Sequence, residues 1–140
     1  AALVLFLSLS MIVGFAQPVC ADEVHSFVLT SPPTADERAY LGITTDTFRL
    51  ADVQAEIVIV ELFSLYFGLC VKEAPAVAEL FSLAKKQSTP QRRIVLVGIG
   101  AGNNAKEVSS FKTKNSVPFP LVPDQKMTVA RSMKMEITPE

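Results

Sequence analysis

Two apolar runs dominate the middle of the chain, Ile57 to Phe63 (IVIVELF) and Ile94 to Ile99. Both are β-branched and nearly free of polar interruption, as strands covered on both faces are, so each predicts a strand in the middle of a sheet. Glu61 is the one charge in the first run. Between them, Lys72 to Lys86 carries Val77, Leu80, Phe81 and Ala84 at i, i+3, i+4 and i+7, the spacing of a helix with one buried stripe. Pro75 falls in its first turn or kinks it. Asn104 and Glu107 form a cap and reciprocal acid for a second helix to about Lys114, burying Val108 and Phe111. Val117 to Val122 is extended and broken by Pro118 and Pro120, the composition of an edge strand or connector. Asp124 then caps a last helix through about Lys134.

Upstream, Thr44 to Val53 reads as a turn, an extended piece through Phe48 and a helical turn at Leu50-Ala51-Asp52. Val24 to Glu37 is polar, contains Pro32-Pro33 and predicts a leader with a short strand at Ser26 to Leu29. Strands alternating with helices give an α/β fold around a mostly parallel sheet.

The first residues change the picture of where this domain works. Ala1 to Ala16 is almost wholly hydrophobic but shorter than the about 20 residues of a membrane span, and Val19-Cys20-Ala21 offers small residues at a cleavage position. Residues 1–21 therefore predict a signal peptide, 22–38 a leader and 39–140 the folded domain, outside the cytoplasm and without a stable membrane span after cleavage. A retained anchor is the alternative. No initiating Met or basic region precedes Ala1, so the start reads as incomplete. The 140 residues suit one domain, and the net charge of −1 with scattered basic residues gives no basis for a nucleic-acid partner. With one histidine, His25, no His-based metal site or Ser-His-Asp triad can be built, and no cofactor is expected. Met127, Met133 and Met135 imitate a soft-metal cluster, which core packing explains better for the first two.

Candidate chemistry lies between the first strand and its helix, in Phe63-Ser64-Leu65-Tyr66-Phe67-Gly68-Leu69-Cys70-Val71-Lys72-Glu73-Ala74-Pro75. This segment resembles the active-site elbow of the redoxin/TlpA branch of thioredoxin-like proteins, where an aromatic residue leads into C-x-x-C and a helix carrying EAP. Thr45 to Val53, Val117-Pro118-Phe119-Pro120-Leu121 with Asp124, and Thr138-Pro139 resemble further parts of that family in the right order. The resemblance covers roughly residues 39–140 and implies a thioredoxin-like fold, with Pro139 in the place of the cis-proline facing the cysteines. It also implies a hairpin and a final helix after Pro139; the chain stops at Glu140, which would leave Ile57 to Phe63 with an unpaired edge.

In that family the first thiol attacks a disulfide, the second resolves the mixed disulfide, and an acid beneath the site exchanges the proton. The resemblance places Cys70 at the resolving position and Glu61 at the acid. Phe67 stands where the first sulfur belongs, and equally where a peroxidatic cysteine would follow Ser64. Phenylalanine forms no mixed disulfide, so dithiol exchange or peroxide chemistry of the inherited kind should be absent. Three explanations stay open: a non-catalytic module that docks peptides, a monothiol protein using Cys70 toward a partner's cysteine, or a decayed gene. Cys70 itself is either a reactive thiol or a buried inert one. Gly100-Ala101-Gly102-Asn103-Asn104-Ala105 also matches G-x-G-x-x-A between a strand and a helix. Too little chain follows it for a dinucleotide domain, and a strand-to-helix turn is the simpler reading.

Overall fold

The computed structural model describes residues 26–134. The predicted signal, His25, Met135 and the Thr138-Pro139 turn lie outside them. Five strands and four helices follow in order: β1 (Leu29–Thr30), α1 (Ala35–Leu41), β2 (Thr47–Phe48), a 3-10 turn (Leu50–Asp52), β3 (Ile57–Phe63), α2 (Gly68–Gln87), β4 (Ile94–Ala101), α3 (Ala105–Lys114), β5 (Leu121–Asp124) and α4 (Thr128–Ser132). β1 and β2 make an antiparallel pair, and β3-β4-β5 a parallel sheet in that order.

The register places Phe63 beside Gly100 and Ala101 beside Asp124, so the three parallel strands end together. The turns after them therefore gather at one edge, where open α/β sheets bind ligands. Strand parity sorts the core into two layers. Val95, Val97 and Ile99 face a cluster with Leu29, Leu41, Phe48, Val122 and Val129. Leu96 faces the other way, into a cluster of Phe63, Ala74, Val108, Phe111, Phe119 and Leu121 beneath α2 and α3. On that second face β4 has glycines, and a Cβ at Gly98 would overlap Leu121 Cδ2 and sit 3.4 Å from Glu61 Oε2.

Several expectations need correction. Among the described residues the mid-sheet place falls to β4 rather than to Ile57 to Phe63, while β3 pairs on one side only, with the open edge expected of it. All of β3 but Phe63 is half-buried. A continuous apolar run reports cover on both faces, which β3 has, since Ile59 packs on one cluster and Val58 and Val60 on the other. It says nothing of neighbours at the strand's edges. α2 starts at Gly68, four residues before the expected Lys72, so Pro75 lies inside the helix beyond its first turn. Its inward stripe is Cys70, Ala74, Val77, Phe81 and Ala84, whereas Leu80 is exposed.

The expected strand at Ser26 to Leu29 is instead Leu29–Thr30, and the polar leader contains α1. Thr34 accepts from the Glu37 N–H, Gly42 closes the helix at φ 72°, and Leu41 is buried. The proline-rich segment after α3 becomes a strand only at Leu121, and is tied down by Lys112, whose Nζ donates to the Val117 and Phe119 carbonyls and pairs with Glu37 at 2.9 Å. The last helix ends at Ser132, and Met133 is exposed rather than packed. Among the described residues no helix is long and apolar enough to cross a membrane.

Candidate functional site

The bend that joins β3 to α2 starts from two buried residues, Phe63 and Ser64. Phe67 N–H then donates to Ser64 O at 3.2 Å, turning the chain, and Cys70 N–H donates to Phe67 O at 3.1 Å. Phe67 is the N-cap of α2, in extended backbone, and its apolar side chain caps nothing. Cys70 is the third residue of the helix, in its first turn, and its thiol is free and half-buried against the Phe63 cluster. No other cysteine lies among the described residues. The surface around it is apolar and open, with Tyr66 63 % and Leu69 61 % exposed. A Cβ at Gly68 would meet nothing within 4 Å.

Glu61 lies on the helix-facing side of β3, its carboxylate against Gly98 under α2. Burial first, and then repulsion from Glu73 one turn beyond Cys70, together raise its pKa from 4.5 to about 6. The fold thus brings Glu61 beneath the helix whose first turn carries Cys70, while Pro139 lies outside the described residues. Because the folded carboxyl holds its proton more tightly than the unfolded one, its contribution to stability is whole below about pH 4.5 and lost as pH rises through about 6. Glu61→Gln should remove that dependence, with a difference of at most about 1 kcal/mol after allowance for solvent screening of a half-exposed group. Urea denaturation of both proteins across this pH range measures it.

The turn after β4 meets the bend. Gly100 leaves room for Phe63 Cζ and Val108 Cγ2, which a Cβ would approach to 3.1 and 2.9 Å, and Gly102 turns at φ 74°. Asn103 is fully buried, and its Oδ1 accepts the Leu65 N–H at 3.0 Å. Its Nδ2 has no partner at hydrogen-bond distance, though the amide lies near enough to favour ionisation of the Tyr66 phenol. Glu107 reaches back to Asn104 N–H through Oε2 and accepts from the Tyr66 hydroxyl through Oε1 at 3.1 Å. That bond is the first cause of a raised Tyr66 pKa. The G-x-G-x-x-A match is accounted for by these contacts: its glycines admit side chains and a left-handed turn, and Asn104 and Glu107 cap α3 themselves. The roles of Asn103, Tyr66 and Glu107 at the bend are not written in any local pattern of the sequence, because their pairings join positions 38 and 41 apart.

Residues 21–140 match the AhpC/TSA family. No curated protein is significantly similar in sequence. Among solved structures, the chain is similar to a secreted Mycobacterium tuberculosis disulfide oxidoreductase described as homologous to E. coli DsbE. The TM-score is 0.60 and identity 18 %, covering 85 % of this chain and 75 % of that one. It is also similar to M. tuberculosis DsbF, solved in mixed oxidised and reduced forms, with TM-score 0.59, identity 15 %, and cover of 82 % and 73 %. A Bacteroides vulgatus protein described as a candidate thiol-disulfide oxidoreductase matches at TM-score 0.54 and 18 % identity, over 92 % and 72 %. These likenesses establish a thioredoxin-like fold.

Proposed function

The chain belongs to the AhpC/TSA family, and on that premise we propose that it is an extracytoplasmic thioredoxin-fold protein whose elbow docks peptides without thiol–disulfide exchange. One observation carries the reading: the N-cap of α2 is Phe67, and Cys70 is the lone free thiol of the described elbow. Dithiol exchange needs one sulfur to form the mixed disulfide and another to release it. A peroxidatic reaction likewise needs a thiolate at the first position, where phenylalanine offers none.

What the elbow retains suits contact rather than turnover. Tyr66 and Leu69 present exposed apolar surface on either side of the N-cap, and α2 opens with unencumbered space at Gly68. The apolar start of the chain, read as a signal peptide over residues 1–21, supports a place outside the cytoplasm. So does the secreted character of the M. tuberculosis oxidoreductase of similar fold.

Dithiothreitol-driven reduction of insulin tests the proposal. The chain should leave the rate at the dithiothreitol background. A rate above background that disappears in Cys70→Ser would overturn it in favour of monothiol chemistry, which the half-buried, not fully buried, Cys70 keeps open as a second reading. In that reaction the Cys70 thiolate would attack one sulfur of a partner disulfide and expel the other as a thiolate that takes a proton from solvent. Dithiothreitol would then cleave the mixed disulfide, freeing Cys70 and the partner thiol as it closes to its own cyclic disulfide.

A further inference from the structure

We infer that the turn from Gly100 to Glu107 sets the shape of the elbow, with Asn103 as its positioning residue. The inference deepens the functional reading above and rests on the bend being the working elbow. Two hydrogen bonds carry it. Asn103 Oδ1 accepts the Leu65 N–H at 3.0 Å, and Glu107 Oε1 accepts the Tyr66 hydroxyl at 3.1 Å, so consecutive residues of the bend are gripped by one turn.

The grip is built into the turn. Gly102 at φ 74° folds the chain back, and the Asn103 N–H bonds the Gly100 carbonyl at 3.2 Å. That geometry aims the Asn103 side chain away from solvent and toward Leu65. The residue is 0 % exposed, and its Nδ2 finds no acceptor. An amide placed in a core for packing alone would be a poor choice, because an unmade buried hydrogen bond is costly and an aliphatic side chain avoids it. The Leu65 N–H supplies the reason for an acceptor there. It sits in the bend between the strand end and the helix start, where neither element can satisfy it. Glu107 has a double task, one oxygen closing the α3 cap and the other holding Tyr66.

What the turn positions is the first turn of α2. Leu65 and Tyr66 lead directly into the Ser64–Phe67 and Phe67–Cys70 backbone bonds, so release of Leu65 loosens the support of Cys70. The side chain at residue 67 and the thiol at 70 are thereby held by a residue in a different βα turn.

Alkylation of Cys70 by iodoacetamide under native conditions, followed by peptide-resolved mass spectrometry, tests this. Asn103→Ala should speed the labelling of Cys70 by about fivefold, the population change that one net hydrogen bond supports. Asn103→Asp keeps an acceptor for Leu65 and should return the rate to the parent value. Tyr66→Phe cuts only the exposed phenol bond, leaves the core intact, and should give a smaller rise of about twofold. Val129→Ala, a core change in the opposite layer, controls for general loss of stability and should leave the rate unchanged. Equal acceleration by Val129→Ala, or parent-like labelling in both Asn103→Ala and Tyr66→Phe, would overturn the inference. The readout is elbow geometry, so it stands or fails separately from whether the chain reduces insulin.

Discussion

Phe67→Cys is expected to make this chain a catalyst of insulin reduction, raising the rate by roughly a hundredfold or more over the parent, because a resolving thiol on the same turn acts at very high effective concentration. The parent has the second position occupied by Cys70, in the first turn of a 20-residue helix. The new sulfur would sit at the N-cap, where the helix dipole and free N–H groups favour a thiolate. Its attack on a substrate disulfide forms a mixed disulfide and expels the other substrate sulfur, which takes a proton from solvent. Cys70 then attacks the sulfur at 67, releases the remaining substrate thiol and closes a 67–70 disulfide that dithiothreitol reopens. Side chains three apart on a helix lie about 5–6 Å apart at Cβ, close enough for such a bridge with small adjustment. A variant that folds but turns over no insulin would mean that the bend lacks the geometry of a redox elbow.

The second large effect concerns the strand end beside that elbow. Asp124→Ala should destabilise the fold by about 3 kcal/mol, a drop of roughly 10–15 °C in melting temperature for a domain of this size. Asp124 is buried, and its carboxylate accepts from Thr128, Val129 and Ala130 N–H at 2.8, 3.0 and 3.2 Å. It therefore caps α4 from four residues upstream, because the formal N-cap, Met127, is held at φ 54° and offers no side-chain acceptor. Alanine would leave three N–H groups without this partner, those of Val129 and Ala130 in the core. Asp124→Asn, which retains one acceptor oxygen, should cost about half as much. Thermal unfolding followed by circular dichroism ranks the three proteins, and a loss below about 1 kcal/mol for Asp124→Ala would show that the carboxylate bonds are not needed.

The Asp124 cap was legible in sequence, and so was the capping box of Asn104 and Glu107, because both are set by local spacing. The strands at Ile57–Phe63 and Ile94–Ala101 declared themselves by unbroken apolar runs. Their order did not, since an apolar run encodes covered faces and leaves edge partners unspecified. α1 is hard to read in the sequence for a different reason. Its only apolar anchors are near its end, at Tyr40 and Leu41, and the Thr34-x-x-Glu37 signal is short beside Pro32-Pro33. At the proposed site, Cys70, Phe67 and Glu61 come only from the resemblance to a redoxin elbow. Asn103 could be read only as part of a glycine-rich turn. Its function is a bond to a backbone N–H 38 residues away, and no local pattern carries that information.

Whether the bend is an elbow missing one sulfur is tested most directly in Phe67→Cys itself, with Cys20 changed to Ser. The protein is equilibrated in a glutathione buffer and the linkage at 67 and 70 is read by mass spectrometry. A 67–70 disulfide in the folded protein, reduced by dithiothreitol, is the expected result. Two free thiols, or each cysteine capped separately by glutathione while the fold is intact, would contradict it.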